Sequence, residues 1–170
     1  MTKGALFYEK QRFTQWWIWL ILLPLNAVFI FGIYRQVIGG VPFGDKPMSD
    51  TGLLIACCLM LLLTIAMANL KLETYVRNDG LYVRFFPFHL KFKHFAWDHL
   101  VKVYIRTYSP VTEYGGWGLR FGIFGSGFAY NIRGNKGLQL QFPSGKKILI
   151  GTQKPDELSR ILGKIGQIKQ

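Results

Sequence analysis

Acidic residues are scarce in this 170-residue chain: nine Asp and Glu stand against 21 Lys and Arg, for a net charge of +12. Charge is missing altogether from two stretches, residues 16–34 and 52–70, each 19 residues long. At about 1.5 Å of rise per residue, either stretch as a helix covers roughly 28 Å, close to the ~30 Å hydrocarbon core of a bilayer. This excludes a wholly soluble protein and leaves residues 71–170 for one small domain. Cysteine is limited to Cys57 and Cys58, adjacent and inside the second apolar stretch. They form no disulfide framework and read as small hydrophobes.

Catalytic and nucleotide-binding motifs are also missing. There is no Gly-x-Ser-x-Gly elbow, no P-loop, and no Gly-x-Gly-x-x-Gly between a strand and a helix. His89, His94 and His99 recur every five residues, a spacing that places them together on neither a strand nor a helix face. No Cys or carboxylate stands nearby with metal-ligand spacing. The acids of residues 71–170 are Glu73, Asp79, Asp98, Glu113, Asp156 and Glu157. Asp79 suits a turn, Asp98 follows Trp97 in a turn, and Asp156 and Glu157 suit a helix start. Glu113 alone lacks an evident structural job, and one carboxylate is not a mechanism. No catalytic residue, cofactor or metal is therefore expected.

The first apolar stretch exceeds a signal-peptide core and is followed by no A-x-A pattern, so it reads as an uncleaved helix. Pro24 predicts a kink, and Asn26 is placed to face the second helix. Ala56, Ala66 and Ala68 permit close approach in the second. Lys3, Lys10 and Arg12 precede helix one, Arg35 and Lys46 lie in the connector, and Lys71, Arg77, Arg84 and Lys91 follow helix two. The positive-inside rule then puts both termini in the cytoplasm. Trp16, Trp17, Trp19 and Tyr34 suit interfacial belts. The chain divides into an N-terminal flank with a two-helix hairpin over 1–70 (helices about 16–34 and 52–70) and a cytoplasmic domain over 71–170.

From Lys71 the period becomes two. A turn at Asp79-Gly80 pairs Arg77 with Tyr82 and Thr74 with Phe85. It sorts Leu72, Thr74, Val76, Leu81, Val83 and Phe85 onto one face. Strands are expected over 90–95, 101–108, 128–133, 138–142 and 147–151. A loop over 134–136 sets Ile132 opposite Leu138 and Tyr130 opposite Leu140. Pro155 and the apolar spacing of Leu158, Ile161, Leu162 and Ile165 predict a closing amphipathic helix. About seven short strands need to curl or split into two packed sheets to cover a core.

The run FAWDHLVKVYIR (95–106), the Gly-rich EYGGWGLRFGIFGSGFAYNIRGNKGLQLQF (113–142) and KKILIGTQKPDEL (146–158), behind a two-helix lead-in, resemble the bacterial membrane proteins with a pleckstrin-homology-like (PH-like) domain. The resemblance implies an all-β PH-like barrel or sandwich closed by the C-terminal helix, set at the bacterial inner membrane, with no assigned activity and no catalytic residues. Lipid-binding eukaryotic PH domains carry a basic loop between their first two strands. This chain has the tight Asn78-Asp79-Gly80 turn there, which argues against a phosphoinositide pocket of that type.

The function expected is a non-enzymatic interaction or scaffolding module. It contacts anionic lipid headgroups, a membrane protein partner or another copy of itself, and no nucleic acid. The alternative is an oligomeric pore or transporter subunit, with Asn26 and Thr64 as the polar points. Contact candidates are the aromatics Trp117, Phe121 and Phe124 with Arg120 in the Gly-rich segment 114–127. The basic residues Lys91, Lys93, Lys102, Arg106, Arg133 and Lys136, with Lys146 and Lys147, are the others. The Gly-rich segment reads equally as a distorted strand whose aromatics fill the core.

Overall fold

The computed structural model describes residues 4–122 and 125–169. The chain forms two compact units, one from Thr14–Asn69 and one from Met1–Phe13 with Leu70–Gln170. Residues 4–13, grouped by the sequence with the hairpin, thus belong to the β-rich unit.

In the helical unit, α1 (Trp16–Ile33) runs through Pro24 and continues into a π-helical turn, Tyr34–Ile38. It packs on α2 (Asp50–Asn69), with Leu22, Asn26, Gly32, Leu53 and Cys57 buried. Both helices are long and apolar enough to cross a membrane. Gln36 ties down the connector, donating to the Met48 carbonyl and to Asp50 Oδ1, each at 2.7 Å. Ser49 Oγ accepts from the Gly52 N–H at 3.2 Å and caps the start of α2.

The β-rich unit holds two sheets. Sheet A runs in the order β1 (Phe7–Arg12), β2 (Lys71–Arg77), β3 (Gly80–Phe86), β4 (Lys93–Ala96), all antiparallel. Sheet B is built from β5 (Lys102–Thr107), β6 (Gly118–Phe121), β7 (Phe128–Asn131), β8 (Lys136–Gln141) and β9 (Lys147–Gly151), in the order β5-β8-β9-β7-β6. A single helical turn, α3 (Pro110–Tyr114), precedes β6, and α4 (Pro155–Lys164) closes the chain. The architecture is therefore two sheets and a C-terminal helix, not one closed barrel.

The hydrophobic alternation of the β2–β3 hairpin sorts as expected: Leu72, Thr74, Val76, Leu81, Val83 and Phe85 are all buried. The register differs by two residues. Arg77 pairs with Gly80, Tyr75 with Tyr82 and Thr74 with Val83, so Asn78 and Asp79 make the turn. Gly80 is a strand residue kept small by close approach: a Cβ there would lie 2.6 Å from the Phe95 carbonyl of β4. A shift of two preserves the faces, which is why the alternation could not detect it.

The 134–136 loop does not join paired strands. β7 and β8 are separated by β9, which is antiparallel to β8 and parallel to β7, with Ala129 opposite Leu149. Ile148, Leu149 and Ile150 are all buried, and a strand apolar on both faces belongs at the centre of a sheet. β1, unforeseen in the sequence, and β6, which answers to the distorted strand read in the Gly-rich segment, bring the total among the described residues to nine.

The inner face of sheet B carries Val103, Leu140 and Ile148 in one row and Leu138, Ile150 and Tyr130 in the next. Tyr130 accepts from Lys93 Nζ of β4 at 3.2 Å, which identifies this as the face toward sheet A. α4 packs against β1, β5 and β8, burying Leu158 and Leu162, with Ile161 and Ile165 half-buried. Polar ties join the sheets at β1. Glu9 accepts from the Thr152 hydroxyl at 2.6 Å and from the Gln153 N–H at 2.7 Å, and Gln11 donates to the Gly151 carbonyl at 2.7 Å.

Candidate functional site

The proposed contact residues fall on several sides of the β-rich unit. Lys102 and Lys136 are exposed near the β5 edge of sheet B, whereas Arg120 and Phe121 belong to β6 at the opposite edge. Lys91 and Lys93 lie at the β4 edge of sheet A. Arg133, exposed after β7, donates to Gln153 Oε1 at 3.1 Å. Lys146 and Lys147 are exposed before and at the start of β9. The bases thus form no single cationic face.

Two candidates have structural roles. Trp117 is half-buried and its indole N–H donates to the Gly134 carbonyl at 3.1 Å, fastening the Gly-rich segment to the turn after β7. Arg106 sits in a network. Its guanidinium donates to Gln139 Oε1 at 2.9 Å, Glu113 Oε2 at 2.7 Å and the Tyr114 hydroxyl at 3.1 Å. The other Glu113 oxygen accepts from the Ser109 N–H at 2.7 Å, holding the start of α3. Glu113 therefore has the structural job that the sequence left unassigned. The Arg106 guanidinium holds its carboxyl below the usual range. Burial is the largest single influence on Arg106 and opposes its charge, but Glu113 and Tyr114 together outweigh it and raise the guanidinium above its ordinary value.

The Gly-rich segment is a covering layer followed by an edge strand. α3 lays Tyr114 on the outer face of sheet B in a buried cluster with Tyr108, Ala129 and Leu149, and the Tyr114 hydroxyl donates to the Ser126 carbonyl at 3.1 Å. Gly115 ends α3 at φ +66°, the left-handed conformation that a helix C-terminus favours. β6 then pairs with β7. Phe121 is 75 % exposed, its ring 4.0 Å from that of Phe128. Phe124 lies outside the described residues.

Rings continue from there: Phe128 to Tyr130 at 6.1 Å, and Tyr130 to His89 at 5.6 Å. This chain leads from the β6 edge to the β3–β4 loop, residues 87–92. Here lie two residues that the sequence reading missed, Phe88 at 65 % exposure and Leu90 at 74 %. Their concealment has a cause: Leu90 opens a run that alternates like a strand, whereas β4 begins only at Lys93. Lys91 and Lys93 are exposed beside them. Burial, reinforced by Lys93, lowers the pKa of His89 and favours its neutral form. His94 lies on β4, stacked on Tyr82 at 4.3 Å, and His99 lies in the 3-10 turn before β5, so the three histidines occupy three different elements.

What the arrangement offers chemically is surface contact: exposed apolar side chains flanked by lysines, on a braced loop. The model of one protein family matches residues 2–166. The chain belongs to DUF6141, a family of unknown function. The match spans both units of this DUF6141 chain. No curated protein and no solved structure matches it.

Proposed function

We propose that this DUF6141 chain is a membrane-anchored, non-enzymatic interaction module. Its helices α1 and α2 cross a bacterial inner membrane as a hairpin, and its β-rich unit works on the cytoplasmic surface against anionic lipid. The observation that carries this reading is the β1–β2 ladder. Arg12 pairs with Lys71 at the end of sheet A. Only residues 13–15 separate that end from α1, and only Leu70 separates it from α2. Two strands paired at this point tether both flanks of the hairpin to one side of a bilayer. The excess of Lys and Arg in those flanks supports the cytoplasmic side. Strands followed by an amphipathic C-terminal helix support the PH-like reading, here as two sheets bridged by α4.

The test uses the full chain, because a fragment beginning at residue 71 lacks β1. Single cysteines are placed at Asp45 in the connector and at Ser144 before β9, with Cys57 and Cys58 replaced by Ala. The expected result is a protein that stays with membranes through alkaline carbonate. A membrane-impermeant thiol reagent should label Asp45→Cys in intact cells, and Ser144→Cys only after lysis. Release by carbonate, or labelling of Ser144→Cys from outside, would refute the proposal.

A further inference from the structure

Among the exposed large apolar side chains of the β-rich unit, Phe88 and Leu90 are the two that belong to the loop leaving the tethered end of sheet A. Arg12, Lys71 and Phe86 form one cross-strand row at that end, because Arg12 pairs with Lys71 and Lys71 with Phe86. The chain leaves for α1 just after Arg12 and returns from α2 just before Lys71. The β3–β4 loop starts from the same row, one residue beyond Phe86. It re-enters the sheet only at Lys93, opposite Val83. The loop therefore leaves from the end of the sheet that carries both tethers, with Phe88 and Leu90 among its first four residues.

The loop is braced. The His89 N–H donates to the Phe85 carbonyl at 2.8 Å. The Arg84 guanidinium reaches the Leu90 carbonyl at 3.5 Å and lies 4.5 Å from the centre of the Phe92 ring. Phe92 in turn packs on Tyr75 at 4.9 Å. Between these fixed points Phe88 and Leu90 are left facing outward. Two large apolar side chains, held in a braced loop with the exposed Lys91 beside them, match the layered chemistry of a bilayer interface: acyl boundary beneath, phosphates above.

We infer that the β3–β4 loop is a wedge that seats Phe88 and Leu90 in the interfacial layer of the bilayer, with Lys91 at anionic phospholipid phosphates. The inference rests on the reading that α1 and α2 cross the membrane. It adds a third point of attachment to the two helices.

The experiment is an environment-sensitive label on Leu90→Cys, and separately on Phe88→Cys, in the full chain lacking Cys57 and Cys58. The protein is reconstituted in vesicles of phosphatidylcholine with phosphatidylglycerol, or of phosphatidylcholine alone. The expected result at both positions is an emission blue shift and a loss of intensity when lipids spin-labelled near the headgroup are included. A control label on Ser144→Cys should keep aqueous emission. Quenching should be stronger in the anionic vesicles, and Lys91→Gln should reduce that difference. Inorganic phosphate should leave the signal unchanged; its loss on adding phosphate would reassign Lys91 to a soluble anion and overturn its lipid role. Aqueous emission at both positions in protein that still resists carbonate would overturn the wedge while leaving the membrane reading intact. Extraction by carbonate would remove the underlying reading itself. A shifted emission that spin-labelled lipid cannot quench would mean that protein covers the loop, which also overturns the inference.

Discussion

The Asn26 side-chain amide of α1 donates to the Thr64 hydroxyl of α2 at 2.8 Å. The same amide nitrogen reaches the Leu22 carbonyl at 2.7 Å, and the Thr64 hydroxyl donates to the Met60 carbonyl at 2.9 Å. The amide nitrogen of Asn26 and the hydroxyl of Thr64 thus link the two apolar helices within one hairpin, while Asn26 Oδ1 is buried with no hydrogen-bond partner among the described residues. In a bilayer such a link contributes about 0.6 kcal/mol on average and up to about 1.7 kcal/mol. A double-mutant cycle of Asn26→Leu and Thr64→Val, read by reversible unfolding in mixed micelles, should give a coupling energy in that range. Additive single effects would show that the pair does not hold the helices together.

Glu113 and Arg106 make a second testable pair. The Glu113 carboxyl is depressed by Arg106, so its contribution to stability is present above the unfolded carboxylate pKa and is lost as pH falls through the lower folded value. His89 acts in the same direction nearer neutrality. Its folded pKa is lowered by burial, so stability declines as pH falls from its unfolded value, about 6.5, toward the folded one. Glu113→Gln should flatten the acid limb of the stability profile. It should cost about 1 kcal/mol at pH 7, modest because both partners are part-exposed. His89→Gln should remove the shallow slope nearer neutrality. Thermal midpoints across pH 3–8 separate the two.

The parts of this fold written in local alternation or helical period were legible: the two apolar helices, the faces of β2 and β3, and Leu158 and Leu162 of α4. What failed was non-local or disguised. The β2–β3 register hinged on whether Gly80 made the turn, and only the passage of β4 beside it decides that. β1 was hidden because Glu9 and Gln11 point inward, so its buried face does not look apolar. β6 was legible only as one of two readings of the Gly-rich segment, because the glycines blur its bounds. Pairing of β7 with β9 spans the whole of β8 and leaves no local mark. Within the candidate surface, Lys91, Lys93 and Phe121 were legible as exposed chemistry, but Phe88 and Leu90 read as the approach to a strand.

The inward polar residues of β1 give the third prediction. Glu9 is 5 % exposed and takes both its hydrogen bonds from the Thr152–Gln153 corner of sheet B. Glu9→Ala strands a buried hydroxyl and a backbone N–H, each worth about 1–3 kcal/mol when unpaired. The free energy of unfolding of the β-rich unit, read from urea titration, should fall accordingly, by about 2 kcal/mol or more. Deleting residues 1–12 should do worse. It bares the β2 edge of sheet A, an unpaired strand edge prone to association, and light scattering of the purified deletion variant should show aggregates that the full chain does not form. A monodisperse, equally stable deletion variant would mean that β1 is dispensable.

Alkaline stability turns on Tyr108. Burial pushes its hydroxyl up to about 12, and the hydroxyl has no hydrogen-bond partner of normal geometry among the described residues. An unfolded tyrosine titrates near 10. Between those values the unfolded chain gives up a proton that the folded chain keeps. The contribution is therefore whole below pH 10 and is lost as pH rises toward 12. Tyr114, raised mainly by burial, and Tyr8, raised by burial and Glu73, act in the same direction. Tyr108→Phe should accordingly make the alkaline limb shallower without abolishing it. At neutral pH the substitution removes a buried hydroxyl that has, among the described residues, only the Asn131 side chain as a polar neighbour of imperfect geometry, and keeps the ring 5.8 Å from Tyr114. It should change stability there by less than about 1 kcal/mol. Absorbance titration at the phenolate band, run beside circular dichroism, distinguishes the cases. A tyrosine signal above pH 11 that is missing from Tyr108→Phe supports the assignment; an unchanged titration curve and alkaline limb in the variant would place the late-titrating tyrosine elsewhere.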